Sequence, residues 1–430
     1  MRQIGPVRFK PPVIVDSVSC GLMTSRISAS WLTDRRLRAH GLILALCLWS
    51  VYLWNMSTPG LIDRSGNLKG TDFLHFYTLG SLALAHRGTD LYNMRAQAEL
   101  AAQRVPAAAG IRYLPLYPPQ VSILFAPFAQ LPYFRALVLW LSLSAIIYGL
   151  CCYSVWRACP SLRNHGFTVL ILALAFPAFW HLIAWGQTSA LALAFFVLAF
   201  FALRARNEFL AGLAFGCLIF KPQLGLAVAI VFLVTLRWKI IFGALLSAAA
   251  ELIVAWLYYG PAPFREWAHV LLNVRQMLPL LEPKLYQTHC LRTFWTMLIP
   301  WPRASFALYV VTALIVAGLT AACWRSRLPS SLRYSALLFS TVLLAPHLTV
   351  YDLVILAPAL LLVSEWINTQ AGSSPTPHLA ILLYLVFALP LLGPLARWTH
   401  FQLSVPVMAA LLYGIWTIRR KSISTANQPD

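Results

Sequence analysis

The stretch GTDFLHFY at 70–77 places a carboxylate, Asp72, among aromatic residues just after an apolar segment. A carboxylate so placed can act as a general base for a hydroxyl attacking a good leaving group, a role that contributes roughly 10²–10⁴ in rate. The competing role is a helix cap near Phe73, where aspartate satisfies free backbone N–H groups. Asp63, between Ile62 and Arg64 in a Ser/Gly/Asn-rich turn, reads as an ordinary loop acid. Lys221 in Phe220-Lys221-Pro222-Gln223 follows an apolar run. It either snorkels to an interface or, with Gln223 in the same irregular turn, holds a phosphate. Gly186-Gln187-Thr188 is a tight turn with an amide donor. His347 and Asp352 share the segment APHLTVYDLVILAP with Tyr351. His347 reads as a phosphate or sugar contact or as a satisfied loop residue, and Asp352 as a cavity acid or a helix cap. His289 and Cys290 are too few for a metal site, and no metal is expected.

These residues need elements to bring them together, and the composition says which kind. The 430 residues are 60% hydrophobic and 11% charged, with a mean hydropathy of +0.71. Successive apolar runs make this an all-α polytopic membrane protein, since only helices and closed barrels satisfy their backbone in lipid. The net charge of +20 does not point to nucleic acid. The basic residues cluster between apolar runs, at Arg35/Arg36/Arg38, Arg157/Arg163, Arg204/Arg206, Arg237/Lys239, Arg325/Arg327/Arg333 and Arg419/Arg420/Lys421. That pattern marks cytoplasmic loops and attracts anionic membrane lipid. The late start of the first apolar run argues against a cleavable signal, and eight cysteines, most of them within spans, give no disulfide framework.

With the basic clusters inside, about twelve crossings follow: 41–56, 136–156, 167–184, 188–203, 208–220, 223–236, 239–259, 303–323, 334–346, 350–366, 378–395 and 400–418. Both termini are then cytoplasmic, as a basic arm at 1–40 and a tail at 419–430 flanking a membrane domain at 41–418. The proline-interrupted stretch 121–132 is read as re-entrant or interfacial. The outer side receives a first loop at 57–120 and a long loop at 261–300. In the first loop, segments 75–86 and 91–105 are expected as two amphipathic surface helices, the second capped by Asp90. Nearly all the unusual polar residues fall on that outer side. Arg292, in QTHCLRTFW, is there against the positive-inside trend and so is a candidate phosphate ligand. Arg112 adds a further cation. Only Glu251 falls well within a span, which is thin support for a transporter. An enzyme at the outer interface fits better than a lipid or glycolipid transporter or flippase, or a non-catalytic subunit of an envelope complex.

The ordered series Asp72-x₄-Tyr77, Gly88-x₂-Leu91-Tyr92, Tyr117-Pro118-Pro119, Gly186-Gln187, Lys221-Pro222-Gln223 and Pro346-His347-x₃-Tyr351-Asp352 resembles glycosyltransferase family 87 from about residue 70 to 365. The resemblance implies a GT-C fold and an inverting transfer of a sugar, mannose first, from a polyprenyl-phosphate sugar to a glycolipid or glycan acceptor. The family includes mannosyltransferases and arabinofuranosyltransferases. It implies Asp72 as the catalytic base, and Lys221, His347, Arg292, Gln187 and Gln223 as donor or phosphate ligands. Tyr77, Tyr117, Tyr351 and Asp352 become acceptor or cavity residues. With no Asp-x-Asp pair of the kind that nucleotide-sugar enzymes use to bind metal, neither metal nor cofactor is expected. The implied location is a bacterial inner membrane with the site facing outward.

Overall fold

A computed structural model of the protein describes residues 32–274, 276–277, 282, 284–370 and 376–426. The arm at 1–31 and the tail end at 427–430 lie outside the described residues. No strand occurs among the described residues, whose β pairing is limited to the isolated bridges Ile62–Leu68 and Thr288–Thr349.

The chain runs through α1 (Asp34–Met56), α2 (Thr71–Leu84), α3 (Met94–Arg104), α4 (Gln120–Ala129), α5 (Tyr133–Arg157) and α6 (Gly166–Ala175). It continues through α7 (Pro177–Trp185), α8 (Ser189–Arg204), α9 (Glu208–Gly216), α10 (Pro222–Val234), α11 (Trp238–Tyr259) and α12 (Ala262–Leu272). The last part holds α13 (Leu291–Leu298), α14 (Pro302–Trp324), α15 (Ser330–Leu344), α16 (Ala357–Thr369), α17 (Thr376–Ala388) and α18 (Ser404–Ala426). Each apolar segment expected as a crossing is helical. Among the described residues, α1, α5, α11, α14 and the runs Val350–Thr369 and Pro377–Thr399 are long and apolar enough to cross a membrane alone. The pair Pro160–Ala175 and Pro177–Trp185, bent by 47°, makes a seventh. Its break falls at Pro177, which cannot donate to the preceding turn. The remaining apolar helices are 10–17 residues long, roughly 15–26 Å at 1.5 Å per residue.

The turns sort into two groups. The basic-cluster turns bond to one another. Arg204 donates to the Ala158 carbonyl at 3.2 Å and Arg237 pairs with Glu208 at 2.7 Å. Glu365 accepts from the Ser161 hydroxyl at 2.6 Å, and Asp34 holds both Arg38 at 2.5 Å and the Thr168 hydroxyl at 2.7 Å. The turns carrying the unusual polar residues form a second, separate set around one cavity. Segment 120–133 belongs to that second set at both ends. Ser122 shares a 2.6 Å hydrogen bond with Tyr259 at the end of α11, and the Tyr133 hydroxyl donates to the Lys69 and Gly70 carbonyls at 2.8 and 2.9 Å.

The first loop differs from expectation. α2 is no surface helix: every residue from Phe73 to Ala83 is buried. α4 packs along it so closely that a Cβ on Gly80 would lie 2.4 Å from the Phe125 carbonyl oxygen. The apolar spacing of 75–86 looked amphipathic, but His75, Thr78 and Ser81 are buried with the rest of the helix. The Thr78 and Ser81 hydroxyls return to the carbonyls one turn back. α3 does carry one buried face, at Gln97 and Ala101. Its cap is Asn93, which accepts from the Arg95 and Ala96 N–H groups. Asp90 lies in the preceding 3₁₀ turn and pairs instead with Arg87 at 2.7 Å.

Candidate active site

The second set of turns encloses a cavity of about 670 Å³, lined among others by Asp72, Tyr117, Gln187, Lys221, Gln223, His347, Tyr351 and Asp352. Helix ends bring these side chains together. Asp72 stands in the first turn of α2, behind an N-cap, Gly70, that has no side chain to offer. Asp72 itself makes no cap bond. Its Oδ2 accepts instead from Gln187 Nε2 at 2.7 Å. Gln187 is held there by Gly186, which ends α7 with φ +71°. At that position a Cβ would lie 2.8 Å from Phe73 Cβ, so the backbone geometry and the close approach both call for glycine. Trp140 donates to the Gly186 carbonyl at 3.0 Å and fixes the turn from behind.

Lys221 does not snorkel. It is 2% exposed, at the N-cap of α10, where the following Pro222 keeps its backbone out of the helical region (φ −133°, ψ 71°). Its Nζ donates to Asp352 Oδ1 at 2.8 Å and to Ser189 Oγ at 2.9 Å, and lies 3.5 Å from Gln187 Oε1. Ser189 Oγ in turn donates to Asp352 Oδ1 at 2.5 Å. The ammonium also sits 5.1 Å from the centre of the Tyr351 ring. Asp352 does cap its own turn, in a capping box with Thr349, while its other oxygen takes the lysine. The cap and site roles coincide. Asp72, Gln187, Lys221 and Asp352 thus form one relay of charge-assisted hydrogen bonds, each satisfied by the next.

His347 Nδ1–H donates to Glu282 Oε1 at 2.6 Å, and Arg292 pairs with the same carboxylate oxygen. Arg292 also donates to the Pro346 carbonyl. Arg292 therefore lies behind Glu282 rather than on the cavity wall, and its charge is already matched. Tyr77 is a second correction: its hydroxyl donates to the Leu131 carbonyl and its ring packs beneath Arg104, away from the cavity. Both positions were read from sequence order, which does not report the direction of a side chain.

Electrostatics tune the carboxylates differently. Burial raises the pKa of Asp72 to about 6; the Gln187 hydrogen bond and Lys221 oppose that rise, and Asp352 adds to it. Burial would likewise raise that of Glu282, but the His347 hydrogen bond and the Arg292 charge hold it below the ordinary value. The cavity wall includes residues beyond those expected from sequence, namely His75, Tyr113, Trp185, Glu282 and Lys284. Arg112 and Lys284 are its exposed cations. Leu226 on α10 and Leu271 on α12 give it an apolar side. Lys284 sits in the loop at 261–300, expected on the outer side, and was legible by the same charge rule that singled out Arg292; Glu282 acquires meaning only from its two partners.

This arrangement joins a carboxylate poised near neutrality to a cation-rimmed cavity with one apolar side. No curated protein and no solved structure matches the chain significantly. The family model for glycosyltransferase family 87 matches residues 116–351, more than half of the chain, and takes in Gln187, Lys221, His347 and Tyr351. Asp72 and Asp352 lie outside the matched stretch and enter the site through their bonds to Gln187 and Lys221. With the ordered motifs, the helical architecture and this match together, the chain belongs to glycosyltransferase family 87.

Proposed function

We propose that this protein is an inverting glycosyltransferase of GT-C type that moves a sugar from a polyprenyl-phosphate donor to a glycolipid or glycan acceptor, with Asp72 as base. The observation that carries this reading is the meeting of Asp72, Lys221 and His347 on one cavity in a chain of family 87. The polyprenyl tail lies along the apolar side near Leu226 and Leu271. Its phosphate meets Arg112, Lys284 and His347, because a leaving phosphate in a cavity poor in water needs fixed positive charge. Lys221, already paired with Asp352, acts as a positioning residue: it orients the Gln187 amide that holds one oxygen of Asp72 and leaves the other for the acceptor hydroxyl. The acceptor oxygen attacks the anomeric carbon from the face opposite the phosphate, Asp72 takes its proton, and the carbon–oxygen bond to phosphate breaks with inversion. This follows the logic of inverting glycoside chemistry. No metal is required in this reading.

The twelve-crossing arrangement, with both termini cytoplasmic and the cavity outward, is part of the same proposal. Its support is that the basic-cluster turns and the polar turns form two separate bonded sets. The shorter helices then cross a thinner or indented region of the protein–lipid boundary. The deciding experiment incubates purified protein with polyprenyl-phosphate mannose and, separately, polyprenyl-phosphate arabinose, using membrane lipid extract as acceptor. Mass spectrometry that finds a lipid heavier by one hexose or one pentose supports transfer and identifies the sugar. No glycosylated product from either donor would overturn the proposal.

A further inference from the structure

We propose that His75 reads the hydroxyl groups of a bound sugar ring, a specificity role that rests on the glycosyltransferase reading above. His75 follows Asp72 by three residues on α2, a spacing that puts both on one helical face, and both line the cavity. The imidazole is 4% exposed, and neither Nδ1 nor Nε2 has a hydrogen-bond partner. Buried polar atoms are paired in nearly all native sites, because an orphan keeps its full desolvation cost. One side chain here carries two orphans beside the candidate base. Burial pushes its pKa down to about 3, so the ring is neutral, with one nitrogen donating and the other accepting. That pairing suits neighbouring sugar hydroxyls, each of which can both give and take a hydrogen bond.

The surroundings fit the same ligand. The Tyr113 ring meets His75 edge-to-face at 4.8 Å, with Tyr117 at 5.6 Å and Phe76 at 5.7 Å. Such walls offer apolar faces to the C–H side of a sugar while the imidazole supplies the polar contacts. Both nitrogens are closed to solvent. Their partner therefore arrives as part of a ligand that displaces the edges of Tyr113 and Tyr117, which lie on the irregular segment 111–118. A histidine kept only for packing would gain nothing from its two nitrogens over a phenylalanine.

The test measures affinities of the purified full-length protein for polyprenyl-phosphate mannose, polyprenyl-phosphate arabinose, bare polyprenyl phosphate and octyl mannoside. His75→Phe keeps the ring and removes both polar atoms; His75→Gln keeps one donor and one acceptor. The expected result is a loss of about 10- to 100-fold for a sugar-bearing donor in His75→Phe, with bare polyprenyl phosphate unchanged and partial recovery in His75→Gln. A loss confined to octyl mannoside would assign His75 to the acceptor ring instead and still support the proposal. Equal losses for sugar-bearing and bare donors, or no loss for any probe, would overturn it. Binding needs no turnover, so failure here is separable from failure of the transfer reaction. Donors that bind through His75 without any sugar being transferred would sink the enzymatic reading alone.

Discussion

Asp72 carries the sharpest expectations at the scale of single residues. If its carboxylate is the base, Asp72→Asn retains donor affinity and loses turnover by about 10²–10⁴. Transfer assays paired with donor binding check this, and near-wild-type turnover would remove Asp72 from the mechanism. The base works only when ionised. With its pKa raised to about 6, kcat/KM should fall on the acid side with an apparent pKa near that value, and Asp72→Asn should abolish that limb. The sign for stability is opposite. A folded-state pKa above the ordinary 3.8 means that the folded protein favours the protonated acid. That contribution is present below 3.8 and lost as pH rises through about 6, so Asp72→Asn should melt higher than the parent above pH 6. Lys221 and Asp352 give another residue-scale test. Each is 2% exposed and the two are 2.8 Å apart. Removing either alone strands a buried charge, a loss of about 3–5 kcal/mol. The double change Lys221→Met with Asp352→Asn should recover much of that stability but not activity, because Gln187 loses its lysine. Melting curves of the two singles and the double decide it. A double that melts as low as the worse single would show that the pair is not coupled.

Helix ends, rather than helix faces, do the positioning at the scale of elements. Asp72, Gln187, Ser189, Lys221 and Asp352 each sit within the first or last turn of an element or in the turn beside it. Short turns leave little slack, so a backbone change at one end moves the site. Gly186 is the most exposed to such a change, at φ +71° and against Phe73. Gly186→Ala should cost about 1–3 kcal/mol through the left-handed backbone and the contact together. It should lower kcat/KM by displacing Gln187 from Asp72, a combined effect that melting and transfer assays would read. Loss of stability with unchanged kinetics would confine the glycine to a structural role. Amphipathic spacing was the weakest guide at this scale. In 75–86 it suggested a surface helix, yet α2 is buried on all sides, because α4 and the aromatic rings of Phe125, Phe128 and Trp140 enclose it.

The two sets of turns define the whole molecule, and their sidedness can be tested directly. In a cysteine-free background, Lys284→Cys should react with an impermeant maleimide added to intact cells, and Arg206→Cys only after the membrane is opened. The reverse pattern would invert the proposed orientation. Much of this level was legible in the chain itself. Apolar runs must become helices in lipid, because no water is present to satisfy their backbone, and basic clusters separate the loops by side. Those two rules anticipated the helical segments. The ordered motifs singled out Asp72, Gln187, Lys221, His347, Tyr351 and Asp352, which line one cavity. What order along the chain does not carry is the direction of a side chain or the partner it finds. Only tertiary packing turned Tyr77 into the core, set Arg292 behind Glu282, and spent the charge of Lys221 on Asp352. The same packing left His75 with two unpaired nitrogens. Hydropathy and charge are properties of segments and survive without a fold; hydrogen-bond partners are properties of pairs far apart in sequence, and they exist only once the helices have met.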